Sequence, residues 1–508
     1  MVLNADILKN IKEEQIAVPS DRLLTLPEKV LQFGTGVLLR GLPDYFIHEA
    51  NTKNIFNGRI VVVKSTESGG ADLFEEQDGL FTVFVRGFEE GKEVDTKFIN
   101  ASISRVISAK QNWEEILKCA ENPEMKIIIS NTTEVGISLL RESIFSNPPT
   151  SFPAKLLSFM WNRYQHFQGS KGTGLVIIPT ELISDNGAVL KRIVLELAAF
   201  NQLDQVFINW INDENDFCNS LVDRIVPGKL SEPEKEMEEK KLGYTDGLMI
   251  MCEPYCLWAI ETSSMRSKNI LSFANVNKGI KIEPDISQFK ELKLCLLNAT
   301  HSFSCALALY CGFETVREAM KEPYFRNFVA SVMMLEIKPL ILSSTISDDS
   351  AQQFAEQVID RFRNNSIEHK WISISMQYSS KMEMRTVPLI VKYLLKDQGS
   401  PKLMILGFAA YLMFMNTTMI ADGKYYSKVG STTYPVTDDK APLLFQYWES
   451  GDLETAIPLM LKDESLWGID LNAIDGFSND AIDAIIQLRT QGAKNILHNL
   501  LSQKLMHA

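Results

Sequence analysis

Hydrophobic residues are spaced in two ways along this chain, and the change falls near residue 275. Before it, apolar residues come in short continuous runs at 30–33, 59–64, 80–85, 125–131 and 174–179. Uninterrupted β-branched runs suit strands buried on both faces, as in a mostly parallel sheet. Residues 38–51, between the first two runs, are long enough for the crossover helix of a βαβ unit. Beyond the change, 286–309, 325–342, 351–363 and 402–415 carry helical periodicity, with punctuation at Pro284, Pro323 and Asn364-Asn365. The pattern predicts an α/β protein: a Rossmann-type doubly wound sheet domain over 1–275, then a mainly α-helical domain over 276–508. No internal repeat is visible.

The first run passes directly into Gly34-Thr35-Gly36. A strand, Gly-x-Gly and a helix form half of a dinucleotide fingerprint, in which a tight turn brings the backbone against a pyrophosphate at a helix N-terminus. The third fingerprint position holds Leu39, and Gly41 follows two residues later. The acidic residue expected after the second strand is replaced by Lys64-Ser65-Thr66-Glu67. Lys64 suits a 2′-phosphate and Glu67 a ribose diol, so this stretch leaves NAD against NADP open. The fourth run ends in Ser130-Asn131-Thr132-Thr133-Glu134, at the strand end where open α/β sheets bind ligands; the same residues also read as a helix cap. The candidate cofactor-binding residues are Gly34, Thr35, Gly36, Lys64, Asn131, Thr132, Thr133 and Glu134.

Composition narrows the partners. The formal net charge is −13 without a long basic block, which argues against nucleic acid and anionic membranes. Seven cysteines, an odd number scattered along the chain, read as free thiols of a reducing compartment. Neither they nor the six histidines show metal-ligand spacing, so metal-independent chemistry is expected. The N-terminus lacks a secretory apolar core, and the run 403–415 is shorter than the roughly 18 residues of a membrane span. A cytoplasmic protein is expected, its oligomeric state open and compatible with a monomer.

The second half carries one chemically suggestive helix. Lys293, Asn298 and His301 interrupt an apolar stretch, and at about 100° per residue Asn298 and His301 lie about 140° and 80° round from the lysine. Three such groups lining one pocket would supply an acid–base amine, an oxyanion donor and a substrate-orienting imidazole. The plainer alternatives are a lysine that snorkels outward and a satisfied core histidine.

These segments resemble the polyol-specific long-chain dehydrogenases, the mannitol dehydrogenase family. Its Lys-x4-Asn-x2-His signature matches Lys293, Asn298 and His301 without a gap, and QFGTGVLLRG, ISNTTEVGIS, IIPTELISDNG, NSLVDRIVPG, RFRNNSIEHKWISIS and TYPVTDD are similar to its uronate-reducing branch. The resemblance implies an NAD-binding Rossmann domain, a helical substrate domain, no metal, and reversible reduction of D-tagaturonate to D-altronate. It implies that Lys293 is general acid and base, that Asn298 holds the oxyanion and that His301 positions the substrate. Asp223 and Arg224 match a motif near the family's site, where they would tune the lysine or form a structural salt bridge. Where mannitol dehydrogenases carry Ser-Cys-Asp-Asn, this chain has Pro179-Thr180-Glu181-Leu182, and Leu182 cannot donate a hydrogen bond; uronate reductases share that text. Arg40 after the glycine turn is a second departure.

A uronate needs a fixed cation. Lys381 and Arg385, with Arg361, Arg363 and His369, form the densest cationic cluster of the second half, and Lys381 matches a substrate-binding lysine of the family. The expected substrate-binding residues are Lys381, Arg385, His369, Arg361 and Asp223. Alternatives are a fructuronate reductase, a mannitol or other polyol dehydrogenase, and a non-catalytic nucleotide-binding protein.

Overall fold

A computed structural model describes residues 1–12, 14–65, 71–132, 136–396, 399–419, 423–449 and 451–506. The chain divides into two compact units, one of Met1–Arg86 with Glu93–Ile286, the other of Gly87–Lys92 with Ser287–Ala508.

The first unit is built on a six-stranded sheet. Its strands are β1 (Glu28–Phe33), β2 (Arg59–Lys64), β5 (Ile103–Ser108), β6 (Ile127–Ser130), β7 (Val176–Pro179) and β8 (Asp216–Phe217). They lie in the order β5-β2-β1-β6-β7-β8, and every adjacent pair is parallel. The chain winds one way from β1 and then the other, so the topological switch point lies between β1 and β6. The apolar runs are continuous because both faces are covered. Leu31, Phe33, Val61, Val63, Ile128 and Ile177 enter one buried cluster with α3 (Phe152–Phe167) and α4 (Asn186–Phe200). Their neighbours Val30, Ile60, Val62, Ile127, Ile129 and Ile178 enter a second cluster on the other face.

Two expectations need correction. The run at 80–85 belongs to β3 (Phe81–Glu89), which pairs with β4 (Lys92–Asn100) and β10 (Ile250–Cys252) in a separate three-stranded sheet. One edge of the main sheet is β5, whose burial pattern leaves several side chains half-exposed and which therefore shows no continuous apolar run. A third small sheet joins β9 (Asn219–Asp223), β11 (Leu257–Glu261) and β12 (Ile280–Glu283). The expected crossover helix is broken into α1 (Val37–Gly41) and α2 (Pro43–Thr52) at Leu42, with φ −133° and ψ −78°. Pro43 causes the break, since a proline disfavours the α-region for the residue before it.

The second unit is mainly helical, and its central element is α5 (Ser287–Tyr310), 24 residues long. By length and composition alone α5 could cross a membrane, but 83% of its apolar window is buried within the protein, as in a core helix. Around it lie α6 (residues 323–341), α7 (Asp348–Phe362), α8 (residues 378–394) and α9 (Lys402–Phe414), with α9 packed on α5 and on α10 (Phe477–Gln491). A three-stranded antiparallel sheet of β13 (Thr417–Met419), β14 (Tyr425–Val429) and β15 (Thr432–Val436) completes the unit. Three of these helices widen into π-helical turns, at Lys293–Ala299 in α5, Val332–Ile337 in α6 and Met382–Thr386 in α8. The first packs against the other two.

Candidate active site

In the first unit the glycine turn sits at the switch point. Gly34 has φ +126°, and a Cβ there would stand 2.9 Å from the Asn131 carbonyl oxygen and 2.9 Å from Leu39 Cδ1, so only glycine fits this turn. Thr35 is half-buried, while Gly36 is exposed and precedes α1 with open space around it. Leu39 lies wholly in the core, and the close packing expected of a third glycine falls to Gly41, where a Cβ would press on Val226 at 2.7 Å. Arg40 turns inward: its guanidinium donates to the Leu248 carbonyl and lies over the rings of Phe74 and Phe81.

The ends of β6 and β7 are tied to each other. The buried Glu181 carboxylate accepts from Ser130 Oγ at 3.1 Å, Thr132 N at 2.8 Å and Thr132 Oγ1 at 2.9 Å. Asn131 Nδ2 donates to the carbonyl and hydroxyl oxygens of Thr180 at 3.1 and 3.0 Å. Sequence reasoning fixed on Leu182, which is 65% exposed, and missed that its neighbour Glu181 organises the strand ends. Lys64 is half-buried at the end of β2. Glu67, Thr133 and Glu134 lie outside the described residues.

Asp223 and Arg224 are buried in the first unit. Arg224 donates to the carbonyls of Glu253 at 2.9 Å and Gly41 at 2.7 Å, and its guanidinium lies 4.2 Å from the Tyr45 ring centroid. The arginine thus braces the segment that follows the glycine turn.

The second unit gathers the remaining candidates. Lys293 and Asn298 are half-buried, at the start and near the end of the π-helical turn of α5. In an α-helix five residues separate two side chains by about 140°. An i→i+5 turn brings residues five apart onto one face, so the widened turn aligns these two. His301 follows in ordinary α-helix. Its ring stacks on Phe362 at 4.0 Å and 5° and stands perpendicular to His369 at 5.3 Å and Trp371 at 6.0 Å.

His301 is 8% exposed, and its Nε2 is buried without a hydrogen-bond partner among the described residues. Burial, then His369 and the charges of Arg361, Arg385 and Lys381, hold its pKa well below 6.5, so the imidazole is neutral at physiological pH. His369 is lowered by burial, Arg361 and Lys381. Lys381 is lowered by burial and by Arg385, against the opposing charge of Asp438, and its Nζ donates to the Ile374 carbonyl at 2.7 Å. Arg385 is lowered by burial alone. Four groups named from the sequence therefore bear on one imidazole. Arg363 is engaged elsewhere, 4.8 Å over the Phe88 ring and 3.7 Å from Asp360.

Phe362, Trp371 and Asp438 escaped residue-level reasoning, although each falls inside a stretch that carries the family resemblance. All seven cysteines are free thiols, five of them buried. Among the described residues no three His, Cys, Asp or Glu side chains are grouped to hold a metal ion.

Residues 28–272 match the mannitol dehydrogenase Rossmann domain, and residues 285–488 match the mannitol dehydrogenase C-terminal domain. The chain belongs to the mannitol dehydrogenase family. It is accordingly an oxidoreductase acting on CH–OH groups. The altronate oxidoreductase of Halalkalibacterium halodurans is 33% identical over 94% of this chain and 94% of its own length. That of Bacillus subtilis is 35% identical, over 89% of this chain and 91% of its own. Two solved structures share the fold. Mannitol 2-dehydrogenase of Pseudomonas fluorescens, in ternary complex with NAD and D-mannitol, has a TM-score of 0.67 at 21% identity, over 99% of this chain and 100% of that one. A D-sorbitol dehydrogenase in substrate-free form has 0.77 at 19% identity, over 98% and 100%.

Proposed function

We propose that this enzyme reduces D-tagaturonate to D-altronate, reversibly and without a metal, using NAD. The observation that carries the reading is the pair of His301 and His369 rings, 5.3 Å apart, with the positive charges of the buried Arg361 and of Arg385 and Lys381 bearing on His301. Arg361, Lys381 and Arg385 beside a neutral imidazole suit a substrate that brings its own carboxylate, because lysine and arginine hold such a group through charge-assisted hydrogen bonds. A polyol offers no such charge. The names of the curated relatives agree with an acid substrate.

The glycine turn supports the cofactor part of the reading. Gly34 leaves no room for a side chain beside Asn131, and Gly36 is open at the start of α1, which is the form of a pyrophosphate cradle at a strand–helix switch point. Gly34, Thr35 and Gly36 would hold the phosphates, with Asn131 and Thr132, fixed by Thr180 and Glu181, beside them. A bound nicotinamide supplies or accepts the hydride.

The chain's own groups handle the substrate. In the reducing direction the ketone oxygen gains charge as its carbon accepts the hydride, and Lys293 gives that oxygen a proton. Asn298, on the same face of the π-helical turn, donates to the developing alkoxide. His301 holds a substrate hydroxyl through its buried Nε2, and Lys381 and Arg385 take the carboxylate. In the oxidising direction Lys293 removes the hydroxyl proton. The deciding assay is NADH oxidation with D-tagaturonate, D-fructuronate and D-fructose in parallel. Preference for tagaturonate is expected; preference for fructose would retain the lysine chemistry and discard the acid substrate.

A further inference from the structure

Tyr378 opens α8, the helix that continues through Lys381 to Arg385, and it is completely buried. Its hydroxyl donates to the Ser302 carbonyl at 2.6 Å and accepts from the Ala306 amide at 3.2 Å. Ser302 and Ala306 are four apart in α5, so these are the carbonyl and the N–H that face each other across one helical rung. Ser302 directly follows His301. One phenol therefore holds both ends of a rung in the catalytic helix from the first residue of the cationic helix.

The other side of Tyr378 is held as firmly. Gln377 adopts left-handed backbone at φ 50°, donates its backbone N–H to the Thr437 carbonyl, and its side-chain oxygen accepts from Asp439 N. Ser379 N donates to Asp438 Oδ2 at 2.7 Å, and Ser379 Oγ pairs with Tyr411 Oη at 2.8 Å. The start of α8 is thus fixed to the 437–439 loop on one side and to α5 on the other.

We propose that Tyr378 is a positioning residue that sets the distance between His301 on α5 and the Lys381–Arg385 pair on α8. In doing so it governs how tightly a substrate gripped at both its carboxylate and a hydroxyl is bound. This rests on the acid-substrate reading above. A neutral ketose, gripped by the α5 groups alone, depends much less on the spacing. The rung in α5 consists of groups able to bond each other, so loss of the phenol hydroxyl releases the tie without unravelling the helix.

The test compares Tyr378→Phe with Tyr244→Phe. Tyr244 is a buried tyrosine of the first unit, which holds neither α5 nor α8, and its hydroxyl pairs with the Thr82 side chain at 2.9 Å. Steady-state kinetics with D-tagaturonate and D-fructose, NADH affinity, thermal stability, and amide hydrogen exchange over residues 300–310 are measured for each. Tyr378→Phe is expected to raise KM for tagaturonate about tenfold and to alter kcat, the fructose KM and NADH affinity less than threefold. Exchange at 300–310 should quicken. Tyr244→Phe should lose comparable stability with both KM values kept. Equal changes for the two substrates, or an unchanged tagaturonate KM despite faster exchange, would overturn the positioning role. Wild-type enzyme that ignores tagaturonate but reduces fructose would overturn the acid reading instead. In that event the tie is judged on exchange, and unchanged exchange at 300–310 in Tyr378→Phe would reject it.

Discussion

Two imidazoles, one in each unit, are buried to a similar degree and stacked on a phenylalanine, yet their surroundings differ in kind. His48 is 7% exposed and lies 5.0 Å from Phe98 at 12°; its Nδ1 accepts from Ala101 N at 3.2 Å, and burial alone lowers its pKa to about 4. His301 is 8% exposed and stacks on Phe362, but its Nε2 has no hydrogen-bond partner among the described residues, and three cations, Arg361, Arg385 and Lys381, bear on it together with the His369 ring. His48 is a core residue whose polar atom is used by the fold. His301 leaves a buried acceptor or donor unspent beside concentrated charge, an arrangement that costs stability unless a ligand completes it. Burial and stacking do not tell these two histidines apart; the groups that face each ring do.

The strongest test bears on the chemistry that the His301 site serves. Lys293→Ala is expected to lower kcat by about 10²–10⁴-fold, the usual range for loss of a general acid–base group, while NADH affinity by fluorescence titration is kept. Near-normal turnover would remove Lys293 from the mechanism and leave the π-helical alignment with Asn298 without a role.

The histidines themselves should then divide. His301→Gln is expected to reduce kcat/KM for tagaturonate by about 10–100-fold, the value of one or two buried hydrogen bonds to substrate, with little change in urea midpoint. His48→Gln should do the reverse, losing about 1–3 kcal/mol as the Ala101 N–H loses its acceptor and keeping its kinetics. Matching losses in both variants would erase the distinction. Next in size, Lys381→Met should raise KM about tenfold or more for tagaturonate and leave that for fructose within about threefold, as loss of one charge-assisted contact predicts. Equal effects on the two ketoses would show that Lys381 does not meet the carboxylate.

Much of this contrast could be anticipated from the chain, and its limits have physical causes. Strands β1, β2, β6 and β7 announce themselves because both faces of the sheet are buried and period-2 alternation disappears. β5 hides because an edge strand is half-exposed, and β3 misleads because burial in a second sheet gives the same apolar run. Lys293, Asn298 and His301 are conspicuous as polar residues in an apolar helix. The π-helical turn that aligns two of them leaves no periodic trace over seven residues. Glu181 and Tyr378 were passed over for opposite reasons. A carboxylate next to an unusual leucine draws less notice than the leucine, and a buried tyrosine looks like any core aromatic until its hydroxyl partners are known.

The smallest expected effect is a pH dependence, and it tests the contrast from another direction. Both histidines titrate lower in the folded protein than in the unfolded chain. Below about pH 6.5 the unfolded imidazole binds a proton that the folded one refuses, so the unfolded state holds more protons and stability falls as pH falls. For His48 the loss runs from about pH 6.5 down to its folded value of about 4, at on the order of 1 kcal/mol per pH unit. His301 contributes a loss of the same sign that begins at the same pH. Of these two, only His301 owes part of its shift to cations, and a carboxylate among Arg361, Arg385 and Lys381 would offset them and make protonation easier. A bound sugar acid such as D-altronate should therefore flatten the His301 part of the acid loss and leave the His48 part intact. Urea unfolding at pH 7 and pH 5, with and without D-altronate, measures this. In the wild type the ligand should protect more at pH 5 than at pH 7; in His301→Gln that extra protection should shrink to the part carried by His369, which Arg361 and Lys381 also lower, and in His48→Gln it should persist. Extra acid protection that is undiminished in His301→Gln would mean that the cations act on the ligand without passing through the His301 imidazole.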